Sequence, residues 1–317
     1  MNRSLPLLAV FALALPCLAQ DRVRVSVSVD WEGRNLDEEN LVAMEAFREA
    51  LPDVPLTQFL NAAYYTKKGA DAQAVTAAIR RTLHEADEAG LHIHAWKTLV
   101  EKSGVAFRDR PNLWGEEYEL MVAPDGDVGH EVDLSAYTQA ELRAITATSR
   151  RLLDEAGFEI SGSFRCGAWM AEPHVLAAIR AEGFRVDSSS TDHVWHDEIE
   201  EYDLYDRIEE VWPDVAPTTP PWRIETPEGV VVEMPDTCAL ADYVTADEMV
   251  AHLRGAASRL GRGDVYVHIG FHQESAARYA ERVLEAIRTV RADRDAPYVF
   301  ETLETAARRV APEVVTR

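Results

Sequence analysis

Hydrophobic and polar positions along the chain switch between a two-residue and a helical period, outlining strands that are each followed by a helix. Residues 23–29 (Val-Arg-Val-Ser-Val-Ser-Val) alternate strictly and predict a strand ending at Asp30. Asn35 or Asp37 can cap a helix that runs to Leu51 and stops before Pro52. Residues 55–62 read as a second strand, 71–89 as a long helix ended by Gly90, and 91–96 as a third, short strand. An irregular stretch, 97–137, follows. Thr138 with Glu141 then forms a capping box for a helix to Ala156, with Gly157 as its stop. Residues 160–165 predict a fourth strand. Pro173 opens a helix that closes at Gly183, and 184–187 predict a fifth strand. Residues 188–222 are polar and proline-rich and read as an insertion. Residues 223–233 read as a hairpin around Glu228-Gly229. Thr245 with Glu248 caps a helix to about Leu260, followed by strand 264–271, helix 274–291, strand 298–301 and helix 303–310.

Strand and helix alternate over almost the whole chain, which predicts a parallel sheet with helices outside it. About seven such units favour an α/β fold of the closed or partly closed (β/α) barrel type. No dinucleotide fingerprint or P-loop is present, so a nucleotide-binding doubly wound sheet fits less well. In either architecture chemistry belongs at the C-terminal ends of the strands. A loop as long as 97–137 in a compact domain is usually functional.

Composition changes this picture at three points. The 317 residues are 47% hydrophobic, enough for one large domain spanning 20–317. Residues 1–19 stand apart from it: Arg3 is a positive n-region, Leu5 to Leu15 an apolar h-region, and Cys17-Leu18-Ala19 a cleavage site that leaves Gln20 as the new N-terminus. The expectation is a signal peptide and a periplasmic or secreted protein, with lipidation at Cys17 as the rival reading. No later apolar stretch is long enough to span a membrane. Asp and Glu (55) far outnumber Lys and Arg (32), for a net charge of −23 that disfavours nucleic acid and anionic membranes as partners. Beyond Cys17, Cys166 and Cys238 are able to pair in an oxidising compartment.

Candidate chemistry gathers at four strand ends. Asp30 ends the first strand, and Glu32 keeps its parity if the chain stays extended; two such carboxylates serve one site as base and metal ligand, or simply solvate a strand end. His92 and His94 share a side of the third strand, as two ligands for one metal or as two hydrogen-bonded core histidines. Arg165 closes the fourth strand and can pair with a carboxylate across the mouth, with Gly167 beyond it allowing close backbone approach. His272 ends the strand that also carries His268; His272 suits a general acid at the mouth, and His268 a satisfied interior position.

These residues, in this order, resemble the polysaccharide deacetylase family, the group with the NodB homology domain, over essentially the whole mature chain. Asp30-Trp31-Glu32 resembles the first motif, and Ala89 to His94 the second. Ser163-Phe164-Arg165-Cys166-Gly167-Ala168-Trp169 with Glu182 to Ser189 is the most specific match, to the third and fourth motifs, and His272 resembles the fifth-motif histidine. The resemblance implies a distorted (β/α) barrel that hydrolyses N-acetyl groups of a cell-envelope or extracellular polysaccharide. Asp30 would be the base, Arg165 its orienting partner, His272 the acid on the leaving amine, and Asp187 a tuning residue. Glu32, His92 and His94 would hold a divalent metal, expected to be Zn²⁺ from the mixed nitrogen and oxygen ligands. Two departures bear on the metal. The family usually spaces its histidines H-x-x-x-H, but Trp96 stands at the second position and His94 must substitute; and Glu32 replaces the usual aspartate. His130 in the long loop is a spare ligand outside the expected set. Trp114, Trp195 and Trp212 are candidates to stack on sugar rings, or pack the loops themselves. The competing readings are a hydrolase of another non-peptide C–N bond such as a cyclic amide, a non-catalytic glycan-binding protein, and a periplasmic solute-binding protein, for which no second sheet repeat is visible.

Overall fold

A computed structural model describes residues 20–294 and 296–315. The expected cleavage after Ala19 and the rival lipidation at Cys17 lie outside the described residues. Among the described residues no helix is long and apolar enough to cross a membrane.

The strands are β1 (Val23–Asp30), β2 (Leu56–Asn61), β3 (Glu88–Ile93), β4 (Ile160–Cys166), β5 (Val186–Asp187), β6 (Trp222–Thr226), β7 (Gly229–Glu233), β8 (Val265–His272) and β9 (Tyr298–Phe300). They form one sheet in the order β6-β7-β5-β4-β3-β2-β1-β8, with β9 also on β1. All the pairs are parallel except β6 on β7, the hairpin expected at 223–233. The helices are α1 (Glu38–Ala50), α2 (Ala72–Arg80), α3 (Lys97–Lys102), α4 (Gln139–Glu155), α5 (Pro173–Ala181), α6 (Asp203–Val211), α7 (Ala246–Ala257), α8 (Ala276–Arg291), α9 (Leu303–Val310) and α10 (Pro312–Val315). The capping boxes of Thr138 with Glu141 and Thr245 with Glu248 are both formed, at the starts of α4 and α7.

The alternation in β1 explains the layering. Val23, Val25, Val27 and Val29 are fully buried in a core shared with Met44 and Phe47 of α1 and Val283, Ile287 and Val290 of α8. Burying each such side chain contributes roughly 1.5–3 kcal/mol. Ser26, Ser28 and Asp30 are left for the opposite, inner face. A second apolar cluster, Phe59, Val186, Val232 and Met234 with Leu303, Ala306 and Ala307 of α9, fills the barrel below them. α9 plugs the end where strands begin: Leu303 N–H donates to Thr57 Oγ1 (2.9 Å) and Glu304 N–H to Glu88 Oε2 (2.9 Å). The opposite end stays open for chemistry.

The barrel is of the partly closed kind. β6 and β8 are the sheet's two edges, and the chain after β7 runs through the gap, with Asp236 bridging Thr191 and Leu240 bridging Gly270. Three local expectations change. The helix expected over 71–89 ends at Arg80, and β3 runs over Glu88–Ile93 rather than 91–96, which leaves His94 just past its end. Tertiary pairing overrides helix propensity here, because buried Asp87 holds Arg48 (2.9 Å) and accepts from Leu56 N–H (2.9 Å), which docks the chain beside β2. The stretches 97–137 and 188–222 are not wholly irregular but contain α3 and α6. Cys166 and Cys238 are buried free thiols rather than a disulfide.

Candidate active site

The inner face of β1 meets Arg165 from β4. Its Nη1 donates to Asp30 Oδ1 (3.1 Å), Asp30 Oδ2 (3.2 Å) and Ser28 Oγ (3.0 Å). Its Nε donates to Ser188 O (2.8 Å) and its Nη2 to Ser188 Oγ (2.7 Å), and the guanidinium lies over the Phe59 ring at 4.8 Å. Burial opposes the Arg165 charge, but Asp30 and then Asp236 outweigh it and strengthen the cation. Beneath this pair lies His268, fully buried. Arginine only donates, so His268 Nε2 accepts from Arg165 Nη2 (3.2 Å), and Nδ1–H donates to Asp236 Oδ1 (2.7 Å). His268 therefore holds the satisfied interior position expected of it.

Burial would raise the Asp236 carboxyl, but His268 and Arg165 bring it down to about 2. A carboxyl depressed in the folded state stabilises the fold above its unfolded value near 3.9, and that contribution is lost as pH falls through the folded value. The stability gap between wild type and Asp236→Asn is therefore expected to be constant above about pH 5 and to shrink by about 2 kcal/mol toward pH 2. Urea unfolding at several pH values checks this; a gap that does not change with pH would contradict the assignment.

Past Asp30 the chain turns, and Glu32 is clamped from both sides. Its carbonyl accepts from Trp96 Nε1 (2.7 Å) and Asn61 Nδ2 (3.2 Å), and its N–H donates to Glu274 Oε2 (3.0 Å). Trp96, standing where the resembled family has its second histidine, thus fixes the Glu32 backbone. The Glu32 carboxylate is ringed by imidazoles. His92 Nε2 lies 3.2 Å from Oε1, and His94 Nε2 and His130 Nε2 lie 2.9 and 2.5 Å from Oε2. Burial alone would raise the Glu32 carboxyl; the surrounding histidines, His94 first, hold it well below the ordinary range. Gly167 admits the His94 ring, since a Cβ there would sit 2.7 Å from His94 Nδ1 and from Ile93 O.

His92 Nδ1 donates to Arg165 O (2.8 Å) and His94 Nδ1 to His130 O (2.7 Å). A carbonyl only accepts, so in the neutral rings both Nε2 atoms turn lone pairs toward the carboxylate. Lone pairs converging on a carboxylate call for a cation among them, and this donor set suits a divalent metal with nitrogen and oxygen ligands. The donor atoms lying within 4.8 Å of one another are those of Glu32, His94 and His130 and, separately, those of Asp30, Glu32 and His272. His130, outside the expected ligand set, is thus inside the cluster, whereas His92, whose Nε2 faces Glu32 Oε1, is in neither group.

His272 faces the same carboxylate, with Nε2 at 3.7 Å from Glu32 Oε1, and its Nδ1 is held by Asp242 Oδ2 at 2.8 Å. Burial pushes the imidazolium down, but Asp242 and then Glu32 prevail and hold it up at about 10. Asp187, expected to tune the site, lies behind it, close enough for the Arg165 charge to act on its carboxyl. It is fully buried beside Glu233 and accepts from Ser189 Oγ (2.7 Å), with no hydrogen bond to Asp30 or the histidines. Burial raises both the Asp187 and Glu233 carboxyls.

The pocket above these groups is walled by Leu113, Trp114, Glu131, Trp169, Leu204 and Tyr243. Of the three tryptophans singled out in the loops only Trp114 reaches it. Trp195 donates to Thr237 O (3.1 Å) and Trp212 to Trp169 O (2.8 Å), so both serve packing. Asp242, Glu274, Glu131 and Tyr243 escaped sequence reasoning. Glu274 alone carried a signal, two residues beyond His272, whereas the others lie in segments with no periodicity.

No protein-family model matches the sequence, and neither does any curated protein. Solved structures do match its fold. A protein assigned as a polysaccharide deacetylase from Mycobacterium smegmatis superposes with a TM-score of 0.55 at 13% identity, over 94% of this chain and 93% of its own. One assigned likewise from Pseudomonas aeruginosa PAO1 gives 0.53 at 14% identity, over 92% of each chain. Puue allantoinase gives 0.54 at 13% identity, over 93% of this chain and 92% of its own. Identities this low speak for architecture alone: the protein has the NodB-like polysaccharide deacetylase fold, a distorted and partly closed (β/α) barrel.

Proposed function

We propose that the protein is a metal-dependent hydrolase that removes N-acetyl groups from a polysaccharide outside the cytoplasm. One observation carries the reading: at the strand ends a buried Asp30–Arg165 pair and the His272–Asp242 pair flank one carboxylate ringed with imidazoles. The export is inferred from the apolar start at residues 5–15.

Glu32, His92 and His94 are the strand-end residues that would hold the ion. When bound, a divalent metal polarises the amide carbonyl and lowers the pKa of water. Asp30, whose two oxygens Arg165 keeps oriented, takes a proton from the attacking water. His272 Nε2 gives its proton to the leaving nitrogen as the C–N bond breaks, while Asp242 steadies Nδ1. The products are acetate and a free amine. An amine leaves poorly unless protonated, so His272→Gln is expected to lower turnover by roughly 10²- to 10⁴-fold. Acidic Asp30, Glu32 and Glu131 in the pocket disfavour a polyanionic substrate, and Trp114 and Trp169 offer ring faces to a sugar.

The test is acetate release from N-acetylated glycan oligomers by the zinc-loaded protein, beside His272→Gln. No release from peptidoglycan, exopolysaccharide or chitin-type oligomers would refute the reading. The similarity to an allantoinase supports one alternative, hydrolysis of a cyclic amide, because the fold accommodates it equally well. Ring opening of cyclic amides without acetate release would favour that alternative.

A further inference from the structure

We propose that the His130 ring is a metal ligand contributed by the loop over the mouth, so that metal binding fastens the wall of the substrate pocket to the barrel. The inference rests on the metal-dependent reading above, for the ion alone and not for the substrate.

Three observations converge on this loop. First, among the described residues the donor atoms of His130, His94 and Glu32 lie within 4.8 Å of one another, a grouping that the expected triad of Glu32, His92 and His94 does not form. The His130 ring stacks on His94, with centroids 4.2 Å apart and planes 11° apart, and both Nε2 atoms address the same Glu32 oxygen. Second, the backbone is shaped to bring the ring there. Gly129 has φ +104°, and a Cβ on it would lie 2.5 Å from Ala95 O, so the loop rests directly on the chain leaving β3. Lys97 N–H donates to Val128 O (2.9 Å), which ties the loop down one residue earlier.

Third, the same few residues build the pocket. Leu113 N–H donates to Glu131 O (2.9 Å), Asp133 N–H to Pro111 O (3.1 Å), and Asn112 bridges Val132. Leu113, Trp114, His130 and Glu131 all line the pocket. Glu131 is 3% exposed, and its Oε2 has no hydrogen-bond partner. A ligand bond at His130 therefore places this carboxylate and the Trp114 ring. The substitution of Trp96 for a second strand-end histidine is answered by a histidine delivered from the loop.

The test uses the full mature chain and Zn²⁺ alone. His130→Ala removes the ring but keeps the backbone carbonyl that orients His94, so it isolates ligation. Zinc affinity, measured by competition with a chelator, is expected to fall by more than the roughly 100-fold that losing an outer-shell partner costs. The exposed His84→Ala is expected to match wild type. Should His130→Ala misfold, hydrogen exchange of the wild type supplies the second measurement: residues 111–114 and 128–133 are expected to gain protection on adding Zn²⁺. An affinity within about tenfold of wild type, no zinc bound under metal-replete conditions, or unchanged exchange in the loop would each overturn the proposal. None of these readouts uses a glycan. A protein that binds zinc through His130 yet releases no acetate keeps this inference and loses the functional one.

Discussion

Replacing Asp30 with asparagine is expected to lower acetate release by roughly 10³-fold or more, while zinc content stays near that of wild type. The side chains are nearly isosteric, and the amide oxygen of the replacement can still accept from Arg165 Nη1, so the mouth should keep its shape. What is lost is an oxygen basic enough to take a proton. Asp30 is also outside the group formed by Glu32, His94 and His130, so the ion does not depend on it there. Rate and metal content measured on one preparation separate the two roles. Activity above about a tenth of wild type would remove Asp30 as the base; loss of zinc would make it a ligand instead.

The second large effect is on stability. Arg165→Leu is expected to destabilise the fold by roughly 3–5 kcal/mol, since it strands Asp30 as a buried, unpaired carboxylate. Asp30 is 2% exposed and Arg165 1%, and the guanidinium also satisfies Ser28, Ser188 and His268. Adding Asp30→Asn to Arg165→Leu is expected to restore part of the loss, because the second change removes the charge the first left unpaired. Urea midpoints of the wild type, the two single variants and the double variant give the coupling. A cost below about 1 kcal/mol for Arg165→Leu would mean that water reaches Asp30 and the layer beneath the mouth is not dry.

Much of the site was legible because a strand has a period of two. Parity along β1 separated the valines from Ser28 and Asp30, and the register then sets Asp30 beside His272 and His92 beside Arg165. The alternation of strand and helix pointed to the barrel, and the capping boxes marked where α4 and α7 begin. These features are local: a cap, a period or a turn is decided by residues within a few positions of one another.

What the chain does between its periodic segments was decided only on folding. Residues 81–87 read as helix until Arg48 and Leu56 claim Asp87. Asp187 occupies a motif position, yet its environment is set by Glu233 from a distant hairpin and by Ser189. Trp114 reaches the pocket while Trp195 and Trp212 do not, and nothing in their neighbours distinguishes the three. His130 and Asp242 lie on segments without periodicity, so no parity assigns them a face. Their partners, Glu32 and His272, are 98 and 30 positions away, respectively, in the sequence. The sequence by itself determined which residues share a strand face, because side-chain direction on a strand follows from backbone geometry alone. The tertiary structure decided which loop groups close over them, because a loop's path is set by the surfaces it is packed against.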